Sequence, residues 1–193
     1  AFKNTLLVGT GGVTSSDDSI VMYGPIGNLQ VLAREGSLWN GVGATGERHD
    51  RFNANVNSPI SSLNMNDLGM IVHDVHFLLD GATTPPVTAT NDRVIAIWDG
   101  VIDHIVAREG DQAPGLPAGA LFADASAFAA FASIPQNGFN KSGTFVITAV
   151  PVGGGLTTAD DSCMFMGSLT SPLPLILGGG DRAPASMGPG VFF

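Results

Sequence analysis

Short apolar runs separated by Gly, Pro, Asn and Asp recur along the whole chain. Their length suits β-strands, which typically run 4–8 residues between turn signals, roughly half a helix. Residues 93–98 (Arg-Val-Ile-Ala-Ile-Trp) form a β-branched and aromatic run, and residues 102–108 form its partner. Asp99-Gly100 between them is a hairpin signal, because glycine accepts the positive φ of such turns. The same logic predicts strands over 19–23 and 29–34 around a turn at 24–28, and over 70–77, 144–150, 162–166 and 173–177. Residues 1–8 add a strand at the start, and 110–119 read as a Pro/Gly loop. The alanine-rich stretch 123–133 could carry a short helix. Its counterpart 51–60 is Asn-rich and unhelical, so both are taken as loop or irregular strand.

Several of these pieces return in order. Val31-Leu32-Ala33-Arg34-Glu35-Gly36 reappears as Ile105-Val106-Ala107-Arg108-Glu109-Gly110, 74 positions on. Asn66 and Gly69 of one Asn-x-x-Gly turn match Asn140 and Gly143 at the same offset. Gly110-Asp111-Gln112-Ala113-Pro114 returns as Gly180-Asp181-Arg182-Ala183-Pro184, and residues 12–19 resemble 155–162. A fixed period is the mark of repeat architectures. The expected fold is therefore all-β, with tandem repeats of 70–74 residues, four strands each, in a propeller-like or related arrangement. Residues 1–16 make an N-terminal strand and linker, 17–90 a first repeat, 91–159 a second and 160–193 a partial third.

The Arg-Glu-Gly-Asp-Gln-Ala-Pro-Gly segment, followed by an Asn-x-x-Gly strand, resembles bacterial exported tandem-repeat proteins of the choice-of-anchor type, which carry an Asn-x-x-Gly-x-x-x-Phe motif. The family's Phe position holds His73 and Ile147 here, and Phe145 lies two residues from Ile147 on the same strand face. The resemblance implies an exported, surface or extracellular protein and no particular reaction.

Composition narrows the function. Hydrophobic residues make up 44% and charged residues 13%, too apolar for a disordered chain. The net charge of −9 repels phosphate backbones, so no nucleic-acid partner is expected. No apolar run reaches the ~18 residues a membrane helix requires, so no membrane insertion is expected. The lone Cys163 lies in Cys-Met-Phe-Met and reads as core.

Candidate chemistry is sparse. No catalytic residue is assigned, and no enzyme activity is expected. The turns Asn66/Gly69 and Asn140/Gly143, with Gly110, Asp111 and Pro114, are expected to be structural, because Asn bonds nearby backbone and Gly relieves φ. Asp17-Asp18 and Asp160-Asp161 open strands and could offer oxygens to calcium. They lack a dense Asp-x-Asp-x-Asp pattern, so turn chemistry is preferred; no other metal or cofactor is expected. His73 and His76 stand three apart on a strand, facing opposite sides, and so cannot share a metal. His49 and His104 read as isolated. Arg34-Glu35 and Arg108-Glu109 are expected as edge charges that discourage strand-to-strand aggregation. Gly9-Thr10-Gly11-Gly12 precedes Thr-Ser-Ser-Asp-Asp (with Val13 between) rather than a helix, and reads as a connector. Trp39, Trp98 and Tyr23 occupy unlike positions in their repeats, which weakens a sugar-platform reading.

These features favour an extracellular or cell-surface structural or interaction protein, such as an assembling filament or surface-layer subunit. The alternative is a carbohydrate-binding or hydrolase-associated propeller-like module. The third copy ends before its Asn-x-x-Gly strand, and residues 1–8 hold that strand's place at the other end. Self-association by terminal strand exchange is the corresponding expectation.

Overall fold

The structure is a computed structural model that describes residues 1–50, 63–123, 138–171 and 173–181. The loops expected at 51–60 and 124–133, and the third Ala-Pro at 183–184, lie outside the described residues. Among the described residues the chain is all-β and contains no helix.

Among the described residues twelve strands form four small antiparallel sheets, none of them closed on itself. The first sheet runs β1 (Phe2–Thr5), β2 (Ser19–Tyr23), β3 (Gln30–Arg34). The middle sheet runs β4 (Leu63–Met65), β5 (Ile71–His76), β6 (Arg93–Trp98), β7 (Asp103–Arg108). A two-stranded sheet pairs β8 (Ala120–Leu121) with β10 (Val152–Gly153). The third large sheet runs β9 (Phe145–Ala149), β11 (Cys163–Gly167), β12 (Leu175–Gly178).

The sheets are offset from the segments marked out by the sequence. β5 pairs with β6, across residue 90, and β9 pairs with β11, across residue 159. β1 pairs with β2 in the same way, Phe2 opposite Met22. Each large sheet thus holds the strand that precedes its hairpin.

The three hairpins share local detail. Each carries a register shift in its leading strand, at Val21/Met22, Ile95/Ala96 and Met164/Phe165. A bulge of this kind sharpens the local twist. Just beyond each pair, Glu35 N donates to Ser19 O, Glu109 N to Arg93 O and Gly179 N to Ser162 O. Gly36, Gly110 and Gly180 then turn the chain at φ of 77°, 82° and 81°, a region an L side chain rarely adopts.

Burial separates the middle sheet from its neighbours. In β5, Ile71 to Val75 are all buried, and in β6 so are Val94 to Ile97. One side packs Val72, Ile95, Ile97 and Ala107 against Ile147, Ala149, Cys163 and Phe165 of the third sheet, with Ala113 and Phe122 in the same cluster. Phe122 meets Phe165 edge-on at 5.4 Å, a preferred aromatic geometry. The other side packs Val75, Phe77, Val94, Ala96 and Ile105 beneath Trp39 from the segment after β3. β9 and β11, by contrast, alternate buried and more open positions, the signature of a sheet covered on one face.

Candidate functional site

A polar cleft of about 450 Å³ opens where the loop after β3 meets the end of the β6–β7 hairpin. Thr45 and Glu47 line it from one side, Thr90 and Asn91 from a second, Arg108 and Asp111 from a third. Thr45 N and Oγ1 donate to the two Glu47 carboxylate oxygens at 2.6 and 3.0 Å. Burial works to raise the Glu47 pKa, but these bonds and the Arg108 charge outweigh it and hold the carboxyl below its ordinary range. Asp111 moves the other way, because burial dominates and the Arg108 charge only partly offsets it. Arg108 Nε donates to Asn91 O at 3.0 Å, and its guanidinium lies 5.6 Å from the Phe77 ring centroid, within cation–π range. The lining offers charged groups and hydrogen-bond donors and acceptors.

Arg34 and Arg108 end the edge strands β3 and β7 and are partly exposed, but the glutamates that follow them are not edge charges. Glu109 is fully buried and Glu35 nearly so. Glu35 Oε2 accepts from Ser19 N at 3.2 Å. Arg34 bonds Asp17 through both its backbone oxygen (2.8 Å) and its carboxylate (2.7 Å). The expectation failed for the glutamates because hydrophobic period alone does not reveal that a following loop will cover a charged strand end.

A second polar group lies deep between the middle sheet and the loop after β3. His73 Nε2 and Asp103 Oδ1 are 2.8 Å apart, and Trp39 Nε1 donates to Asp103 Oδ2 at 3.1 Å. His49 is buried beside them; burial and the nearby His73, partly countered by Asp103, push its pKa down to about 4. His49 is therefore not isolated, as sequence reading had it. Trp39 folds over Gly41, where a Cβ would sit 1.7 Å from the indole ring, so only glycine fits there. The Asp–His pairing resembles half of a catalytic triad, but both side chains are almost wholly buried. The pair links β5 to β7, and the Trp39 bond to Asp103 ties the loop to the sheet. His76 accepts from Arg93 Nε at 3.0 Å, and His104 Nε2 lies 2.8 Å from Asp99 Oδ2.

The turn residues engage backbone. Asn66 Oδ1 accepts from Leu68 N and Met70 N, each at 3.0 Å; Asn140 Oδ1 accepts from Ser142 N at 2.9 Å and Thr144 N at 3.0 Å. Gly69 and Gly143 follow at φ of 80° and 81°. The two turns also touch, Asn66 Nδ2 donating to Asn140 O at 3.1 Å. Gly110, Asp111 and Pro114 lie in the turn after β7, where Asp111 N donates to Arg108 O at 3.1 Å.

The acidic turns use their carboxylates in the same manner. Asp17 Oδ1 accepts from Thr14 N and Oγ1 at 2.6 and 2.9 Å, and these bonds lower its pKa. Asp160 binds Thr157 N and Oγ1 identically, with the same effect. Asp18 and Asp161 are half-buried beside them. Among the described residues no three His, Cys, Asp or Glu side chains converge as metal ligands, and no helix is long and apolar enough to cross a membrane. Cys163 is buried, and burial raises its thiol pKa.

Two of the three aromatics weighed as a sugar platform come together. Tyr23 and Trp98 stack across the first and middle sheets, 4.5 Å between centroids and tilted by 56°.

The protein is thus an all-β protein of small antiparallel sheets, with polar clusters lodged at the junctions between them. A family described as a family of unknown function (DUF7453) matches residues 1–193, and the chain belongs to it. No curated protein and no solved structure matches it.

Proposed function

We propose that this chain is a structural or interaction protein of the extracellular space or cell surface, built from tandem β units in a propeller-like, face-to-face arrangement. It acts by docking further protein, including copies of itself. The observation that carries the reading is the apolar character of the outward sheet faces. Phe2, Leu29 and Val31 are exposed on the first sheet, Met166 and Ile176 on the third. Contiguous exposed apolar surface marks interaction sites. The tandem reading draws support from hydrogen bonds that recur at matching positions. Thr14 N, Thr88 N and Thr157 N each donate to the Asp or Asn three residues later. The extracellular assignment rests on the resemblance to exported repeat proteins and on low charge.

Sedimentation velocity over a range of concentrations tests the docking reading. Species heavier than the 19.8 kDa monomer should appear and grow as salt screens the net charge of −9. A monomer at every concentration and ionic strength contradicts it.

The polar cleft supports a second reading, a carbohydrate-binding module. Thr45, Glu47, Asn91, Arg108 and Asp111 offer donors and acceptors suited to sugar hydroxyls. Calorimetric titration with neutral oligosaccharides, compared between wild type and Arg108→Ala, decides that reading.

A further inference from the structure

The two outward faces match, register for register, the two faces buried inside the molecule. On the first sheet Phe2, Met22 and Val31 are paired across β1, β2 and β3, so their side chains lie in one row on one side. The corresponding row of the third sheet, Ile147, Phe165 and Leu175, packs against the middle sheet. On the third sheet Thr148, Met164 and Leu177 form one row, with Val146 and Met166 beside it. The corresponding positions of the middle sheet are Asp74, Ile95 and Ala107, with Val72 and Ile97 beside them. Of these Val72, Ile95, Ile97 and Ala107 are buried against the third sheet.

The molecule therefore carries a junction inside itself whose two halves recur at its two ends, where Val31 and Met166 are exposed. The third-sheet end is concave, with a pocket of about 430 Å³ lined by Thr148, Met164, Leu177 and Gly178. The first-sheet end presents Phe2 and Val31 as exposed projections. The third-face rows carry no charged side chain, and Arg34, in the row beside Met22 on the first face, is paired with Asp17, so bringing the faces together strands no unpaired charge.

From this we infer that the third-sheet face of one copy docks on the first-sheet face of the next, head to tail, repeating the internal sheet-on-sheet junction between molecules. The inference rests on the docking function proposed above and names its partner, a second copy of this chain, and its polarity. A heterologous contact of this kind has two different surfaces, so it propagates into a ring or a filament rather than stopping at a symmetric dimer.

Two exposed positions test it without touching the buried core: Val31→Lys on the first face and Met166→Lys on the third. Val101→Lys, at the tip of the β6–β7 hairpin and on neither face, is the control. Wild type and the control should assemble beyond dimers. Each face variant alone should remain monomeric, because every contact needs one surface of each kind. An equimolar mixture of the two should give a dimer and nothing larger, joined through the one intact face of each. Circular dichroism melts check that both variants fold; if either unfolds, Val31→Thr and Met166→Thr carry the same test with weakened assembly as the readout. A dimer formed by either variant alone, a mixture that stays monomeric, or face variants that assemble like wild type overturns the inference while leaving the docking function standing. A monomeric wild type overturns both.

Discussion

The middle sheet and the third sheet are built from similar hairpins, with the same bulge and the same backbone bond at the hairpin's open end, yet they are buried differently. β5 and β6 are covered on both sides and tolerate buried polar groups only where these are paired, as His73 is with Asp103. β9 and β11 are covered on one side and keep Met164, Met166 and Thr148 on the other. Local sequence sets the hairpin; the number of neighbours sets how much of it is sealed from water.

Substitution on the two sides of one strand should break this contrast most sharply. Phe165 is fully buried and Met166, the next residue, is 41% exposed. Phe165→Ala should cost about 3–5 kcal/mol in urea unfolding, the usual range for a buried aromatic. Met166→Ala, in dilute monomer, should change stability by less than about 0.5 kcal/mol. Equal effects would mean that the third sheet is sealed on both faces.

The hydrogen-bonded histidine cluster makes a second difference. The His49 pKa falls from 6.5 unfolded to about 4 folded, so the unfolded chain binds a proton first as pH drops. The contribution is fully present above pH 6.5 and is lost progressively down to about pH 4. Its full size is on the order of 3 kcal/mol. Thermal melts from pH 7.5 to 4.5 should show it, and His49→Gln should flatten that part of the profile.

Much of this was legible in the sequence, and the rest was hidden for physical reasons. Residues 93–98 announce a strand through β-branched content, and Asp99-Gly100 announces its turn; β6 and Gly100, at φ 106°, are there. β4, β8 and β10, of two or three residues, are too short to leave a periodic trace. The pairing of β5 with β6 was missed because hydrogen-bond partners are chosen by tertiary packing, not by position within a sequence period. The burial of Glu35, Glu109 and His49 depends on which loop closes over them, and nothing local in the chain encodes that. The polar cleft was hidden for the same reason: Glu47 and Arg108 lie far apart in sequence and meet where the loop after β3 reaches the end of β7.

The Asn turns sharpen the comparison on a smaller scale. Asn66 is buried and its side chain also reaches Asn140 O, whereas Asn140 is exposed and its side-chain oxygen accepts from within its own turn. Asn140→Ala should cost about 1–2 kcal/mol, and Asn66→Ala about 1 kcal/mol more, for the added buried bond. Arg34→Ala, at a partly exposed ion pair with Asp17, should cost the least, below about 1 kcal/mol.

Hydrogen–deuterium exchange measured on dilute and concentrated protein tests the account most directly. The middle sheet is sealed within one molecule, so amides of β5 and β6 should exchange at the same slow rate at both concentrations. Amides of β2, β3, β9 and β11 should slow as concentration rises and the outward faces find their partners. Flanking strands whose exchange is indifferent to concentration would contradict the claim that this chain works through its uncovered sheet faces.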